Sequence, residues 1–394
     1  MPWSLTPRME AHSADAVLTL QPPEQAEPAG GSLVVAVEAT RLAREVRGIG
    51  RYVRALLPRL VALRPGLQLI LFVKRQADIE ALQPGFDAIP VMRGRIQFRL
   101  AKDMHRTAAD VHWYPWNTVA KVPARGAVVA TVHDIVPIAH PDPRLRGWQK
   151  NLRWRRRYAA TAKRSTLIIA DSRFTADEIH RMLGVPYDRM RVVLLSADDF
   201  RIPPAEGDAA TLARLGVTQP FVLAVGAADR RKNLATLDQA MARVVEAHPE
   251  LRLVLAGPRR DGNSAGDSPA WRQTLGFVSD DELAALYRGA EVLVMPSTYE
   301  GFGLPVLEAM RLGTPVICAQ ASSLPEVGGN AALWVAPTSV DALANAIERV
   351  VCDEQLRMRL SAASVAQSAR FSWDSTARQT IEVFEEAVVT ASWR

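Results

Sequence analysis

Short apolar runs, each closed by a turn and followed by a helical pattern, recur along this chain in two separate series. Runs at residues 33–37, 67–74, 128–132, 167–170 and 191–195 make up the first series; those at 221–225, 251–256, 292–295 and 315–318 make up the second. Such alternation argues for parallel βαβ units. Between the series, residues 196–219 carry Pro203, Pro204, Gly207 and Gly216 and break the pattern. The reading is an α/β chain of two Rossmann-like domains, residues 32–200 and 201–373, facing a cleft where strand C-termini meet. Residues 1–31, with Pro22, Pro23 and Pro28 among acids, read as a mobile tail. Residues 374–394 read as a helix long enough to cross back onto the first domain.

With 394 residues, 48% of them hydrophobic, the chain can bury two cores. Its formal charge of +6 favours an anionic partner: nucleotide phosphate, lipid diphosphate, a membrane surface or nucleic acid. Cys318 and Cys352 lie far apart, so neither a disulfide framework nor a zinc site is expected, and a reducing compartment suits them. No apolar run approaches eighteen residues, and residues 1–31 lack the apolar core of a secretory signal. The expected location is cytoplasmic, with peripheral contact to the inner face of the cytoplasmic membrane as an extension of that reading.

Residues 291–319 read as strand, glycine-rich turn, helix and strand, with Glu300 and Glu308 bracketing the turn. Pro305 suits the first helical position, which places Glu308 in the opening turn beside the positive end of the helix dipole. Glycines before a helix N-terminus let bare N–H groups approach a phosphate. The two carboxylates add acceptors for sugar hydroxyls, so a sugar diphosphate fits the pattern. Arg230, Arg231 and Lys232 follow the first strand of the second series at an expected helix start, where cations oppose the dipole unless an anion is bound. Asn233 beside them suits a helix cap.

Gly48-Ile49-Gly50 before Arg51 is half of a dinucleotide fingerprint; position 53 is Val, and the next strand ends at Lys74 without an acid, so an NAD site is disfavoured. A tight turn and a phosphate approach both remain open for it. His133 and Asp134 sit at a strand tip, which suits hydrogen bonding or charge stabilisation better than metal ligation. Residues 144–164 hold nine basic side chains and no acid, with Leu145, Trp148 and Leu152 on one face. That stretch is either a solvated helix face or a surface for an anionic lipid or diphosphate acceptor; nucleic acid is not expected, since no recognised module accompanies it.

Together these residues resemble the retaining nucleotide-sugar glycosyltransferases of family 4, which have the two-domain GT-B fold. The resemblance covers nearly everything after residue 32. Its carriers are Glu300-Gly-Phe-Gly-Leu-Pro-Val-Leu-Glu308, Arg231-Lys232-Asn233, Gly276-Phe-Val-Ser279, Gly313-Thr-Pro-Val316 and Leu324-Pro-Glu326. Gly48-Ile-Gly-Arg-Tyr52 and Val132-His-Asp-Ile135 are similar to the branch with bacterial surface-polysaccharide mannosyltransferases. One departure stands out: Leu195-Ser-Ala-Asp-Asp199 replaces the Asn-Gly-Val-Asp-like strand end the family would have there.

The resemblance implies that Glu308 holds the nucleotide ribose, Glu300 the donor sugar's hydroxyls, and His133 the sugar near its reacting carbon. Arg231 and Lys232 would neutralise the leaving diphosphate, so that no metal or other cofactor is needed. Gly301, Phe302, Gly303 and Leu304 would meet the sugar and diphosphate, and Phe277 and Val278 would border the base. Gly48, Gly50 and Gly226 complete the donor-side candidates. Arg51, Tyr52, Asp134, Trp148, Arg153 and Arg156 are the candidates for the acceptor or an anionic membrane surface. The implied reaction moves a hexose, with GDP-mannose favoured as donor, to a saccharide or lipid-diphosphate-linked saccharide. A nucleotide-sugar epimerase or sugar phosphorylase on the same frame is the alternative, and a basic scaffold for membrane or nucleic acid a remote one.

Overall fold

Among the described residues, thirteen strands form two wholly parallel sheets. The computed structural model describes residues 31–123, 125–141, 147–226, 229–258 and 269–392, so residues 1–30, 144–146 and 393–394 of the stretches discussed above lie outside it. The first sheet has the order β3-β2-β1-β4-β5-β6-β7. Its strands are β1 Leu33–Glu38, β2 Leu67–Val73, β3 Ile96–Leu100, β4 Val111–Tyr114, β5 Ala127–Val132, β6 Leu167–Ala170 and β7 Met190–Val192. The second has the order β10-β9-β8-β11-β12-β13. It comprises β8 Phe221–Val225, β9 Arg252–Ala256, β10 Arg272–Gly276, β11 Val292–Met295, β12 Val316–Ala319 and β13 Ala332–Val335.

Every residue of β4, β5, β6, β11 and β12 is buried, as parallel strands covered on both faces require. In each sheet the strand order reverses once, between β1 and β4 and between β8 and β11. Crevices at such reversals are where open α/β sheets bind ligands. The two halves expected from the sequence are present, and the connection from β7 to β8 spans the break at 196–219.

Helix Trp373–Ser392 returns from the second half and packs against helix Ile49–Leu63 and strands β4 to β6. Its buried residues Trp373, Ala377, Thr380, Phe384 and Ala387 recur at helical spacing. Phe384 meets Trp113 edge-on at 5.6 Å. Arg59 and Arg64 pair with Asp374 and Glu385 at 3.2 and 2.8 Å along the same contact.

Candidate active site

The second sheet brings its two motifs together at its crevice, one after β8 and one after β11. Gly226 ends β8 at φ +130°, and a Cβ there would lie 2.8 Å from Lys232 Cε. Residues Arg230–Lys232 form a single 3-10 turn rather than the start of an α-helix, and Asp229 caps it by accepting from Arg231 N at 3.1 Å. Arg231 O accepts from Thr298 N at 2.8 Å, which ties this turn to the one after β11. Asn233 stands at the N-cap of helix Leu234–Ala247, but its side chain makes no cap bond. Its amide donates instead to Pro296 O and Pro337 O at 3.1 and 2.6 Å, bracing the two loops.

Across the crevice Lys232 Nζ donates to Glu300 Oε1 at 2.7 Å, with both side chains 12% exposed. Ser322 and Ser323 hold the turn that carries Glu300: Ser322 Oγ accepts from Glu300 N, and Ser323 Oγ donates to Phe302 O. Gly301 lies against the first half. A Cβ there would sit 2.1 Å from His133 O, and Ser172 Oγ donates to Gly301 O at 2.8 Å. Only a residue without a side chain lets the two halves meet at that point.

Helix Leu304–Arg311 follows, with Gly303 as N-cap. Pro305 is its second residue, not its first, and no acid falls in the first turn. Glu308 is therefore one residue further in than the sequence suggested, just past the first turn. Its carboxylate is met by side chains: Tyr287 donates to Oε2 at 3.0 Å and Arg51 Nη1 to Oε1 at 2.5 Å. Burial pushes the Glu308 carboxyl above its usual range, and Arg51 and Tyr287 oppose that rise.

From the first half, His133 follows β5 and is 8% exposed. Both of its ring nitrogens have partners: Nδ1 lies 2.5 Å from Asp171 Oδ2 and Nε2 2.9 Å from Pro115 O. Burial favours the neutral ring, but the Asp171 carboxylate outweighs it, and the pKa rises above the ordinary value of 6.5. Asp134 is half-buried; it accepts from Val136 N at 3.1 Å, and burial raises its pKa against that bond and the pull of Arg231. Tyr52 is fully buried, its ring 4.8 Å from His133 and 6.0 Å from Trp113, so it supports His133 from the core.

Gly48 caps helix Ile49–Leu63, and Gly50 packs where a Cβ would meet Glu45 O. The arginines on either side of this turn both reach the second half. Arg47 donates to Val278 O and lies 4.1 Å over the exposed ring of Phe277. Arg51 joins Glu308 to Asp199.

Trp148, Arg153 and Arg156 belong to another place. With Glu38, Trp116 and Lys121 they line a cavity of about 1020 Å³ at the C-terminal ends of β1 and β4, the crevice of the first sheet. Glu300, Lys232 and Glu308 do not line it. Helix Gly147–Arg164 forms one wall. Trp116 Nε1 donates to Glu38 O at 2.7 Å. Asn117, between the lining residues Trp116 and Thr118, accepts from His133 N at 2.7 Å and so links the cavity to the cleft.

Sequence reasoning missed Asp171, Asp199 and Tyr287. Asp171 had a legible signal, since it follows β6 as His133 follows the neighbouring β5. Asp199 fills the junction where the expected motif was absent: it grips Arg51 and accepts from Trp373 Nε1 at 2.6 Å. Among the described residues, no three His, Cys, Asp or Glu side chains converge as a metal site.

A family profile described as "Glycosyltransferase Family 4" matches residues 46–198, and one described as "Glycosyl transferases group 1" matches residues 213–366. The chain is 35% identical over 271 residues to the O-antigen chain mannosyltransferase B of Escherichia coli, covering 65% of this chain and 70% of that protein. It is 30% identical over 292 residues to the serotype-specific mannosyltransferase WbdA of Escherichia coli, covering 68% of this chain and 33% of that protein. Among solved structures, sucrose-phosphate synthase from Thermosynechococcus elongatus shares the fold, with a TM-score of 0.66 at 22% identity over 90% of this chain and 98% of that one. Paired parallel sheets, a glycine turn between two carboxylates and a lysine facing it thus coincide with both profiles, and the chain belongs to the family 4, group 1 glycosyltransferases of GT-B fold.

Proposed function

We propose that this enzyme transfers mannose from GDP-mannose, with retention of configuration, to a saccharide or lipid-linked saccharide in surface-polysaccharide assembly. The observation that carries the reading is the Lys232–Glu300 pair, 2.7 Å apart across the crevice, with Glu300 on the turn that abuts His133. Glu300 accepts from the donor sugar's hydroxyls and Glu308 from the ribose. As the bond from the anomeric carbon to the phosphate breaks, charge grows on the departing diphosphate. Lys232 and Arg231 neutralise it without a metal, as preorganised charges do best in a closed site. The acceptor hydroxyl attacks from the same face and gives its proton to the leaving phosphate. His133 has both ring nitrogens bound, and its carbonyl packs on Gly301 and accepts from Thr175 Oγ1, so its part is to fix the turn that carries Glu300 beside the sugar.

The basic cavity of the first half suits the acceptor and, at its rim, an anionic membrane surface. The mannosyltransferase names of two relatives support the choice of sugar. A thermal-shift panel of nucleotide sugars tests the donor. A ligand present at a hundredfold its Kd stabilises the native state by about 2.7 kcal/mol, so GDP-mannose is expected to stand out from UDP-glucose and UDP-GlcNAc. Lys232→Ala and Glu300→Gln are expected to lower kcat/KM about a hundred- to a thousandfold while the protein stays folded. Wild-type rates in both variants, or equal shifts from every nucleotide sugar, would sink the assignment.

A further inference from the structure

Arg51 occupies a position that its own helix does not favour. It is the third residue of helix Ile49–Leu63, a cation where the dipole opposes one. Its side chain leaves the first half and reaches Glu308. The fork is divided unequally: Nε and Nη2 hold both oxygens of Asp199, at 3.0 and 2.7 Å, while Nη1 alone holds Glu308. The two-point grip can therefore persist when the single contact breaks. The ring of Phe200, next to Asp199 in the chain, lies 5.4 Å from the guanidinium. Glu308 has its other oxygen on Tyr287 and a side chain only 9% exposed. A ribose diol that seeks this nearly buried carboxylate competes with Arg51 for Oε1.

We propose that Arg51 is a positioning residue that guards Glu308: it neutralises the carboxylate while the donor site is empty, and it is handed over to Asp199 when a nucleotide ribose arrives. This rests on the assignment of Glu308 to the ribose. The handover has somewhere to act. Arg51 ends the Gly48–Gly50 turn, and Arg47 at the other side of that turn is tied to Val278 O and to Asp280 Oδ1, the latter at 2.9 Å. The first tether ends on Val278, an expected border of the donor pocket, and the second two residues further along. Asp199 is itself pinned by the indole of Trp373, at the start of the helix that packs on helix Ile49–Leu63. Arrival of a donor is thereby felt along helix Ile49–Leu63, in the half that receives the acceptor.

Calorimetric titration with GDP, and with UDP as second probe, tests the handover on wild type, Arg51→Met, Asp199→Asn and Glu308→Gln, with thermal melts to confirm folding. Arg51→Met removes the competitor and is expected to tighten GDP binding, by about five- to twentyfold if Glu308 is mostly guarded at rest. Asp199→Asn leaves Glu308 as the stronger partner of Arg51 and is expected to weaken GDP binding. An ion pair with only a structural role would move both variants in the same direction. Same-direction shifts, or unchanged affinity in either, overturn the handover. Should Arg51→Met fail to fold, Arg51→Gln, which can still hydrogen-bond Asp199, takes its place with the same expectation. Glu308→Gln separates the two layers. If it binds GDP and UDP like wild type, or wild type binds neither, the ribose assignment falls and the handover with it. If it binds weakly while the other two variants shift together, the handover alone falls.

Discussion

His133 is the residue where position in the fold and local chemistry meet. A lone histidine at a strand tip has many uses, and the sequence shows only the tip. The structure adds that Asp171 and Pro115 fix both ring nitrogens, so the ring has one orientation and a raised pKa. The sign of the pH dependence follows. Stabilisation from a raised histidine is fully present below its unfolded value of about 6.5 and is lost as pH rises through the folded value. Wild type is therefore expected to lose stability from pH 6 towards alkaline conditions. Asp171→Asn is expected to cost about 1–3 kcal/mol at pH 6 by removing a buried partner, and to flatten that slope. Denaturant melts at pH 6, 7 and 8 check it, and a parallel slope in the variant would refute the coupling. Asp171 escaped notice because Asp-Ser before a helix looks like ordinary capping, and Ser172 does cap the next helix at Thr175 N.

The glycine turn between β11 and helix Leu304–Arg311 is the element on which the two halves close. Its role as a turn was legible, because a buried apolar run ends at Pro296 and glycines follow. The exact start of the helix was not: Leu304 precedes Pro305 in it, and that one residue moves Glu308 out of the first turn. Gly301→Ala is expected to push its Cβ into the His133 carbonyl, 2.1 Å away. Displacement of the reacting groups by an ångström can cost about a hundredfold in rate, so kcat/KM should fall by that order in steady-state assays. A variant with wild-type kinetics would show that the halves do not meet there during turnover. The strands that sequence reading missed have their own physical reasons. β3, β10 and β13 are sheet edges, and β3 and β10 hold no buried residue, so their apolar signal is weak. β4 is fully buried, yet its four residues include His112 and give no long apolar run.

Across the whole molecule, charge is distributed unevenly, and helix Gly147–Arg164 is its extreme. It has seven cations and no acid, and no carboxylate among the described residues forms an ion pair with it. Lys121 adds to the same cavity wall. Reversing Arg153 and Arg156 to Glu is expected to raise the KM for an anionic acceptor about tenfold or more, most strongly at low salt. Acceptor titrations at two ionic strengths check this, with GDP affinity measured alongside; an unchanged KM would leave the helix as a solvated face. The two-half plan was legible because each half repeats one periodic pattern, whereas contacts between the halves are made by residues hundreds of positions apart. The returning helix Trp373–Ser392 has a consequence for synthesis. Trp113, Tyr52 and the faces of β4 to β6 that it covers are made early, while Trp373 and Phe384 are made after every strand of the second sheet. On the ribosome, the first half waits with that apolar face open until the second sheet has been made and the returning helix follows it, and only then can its core close.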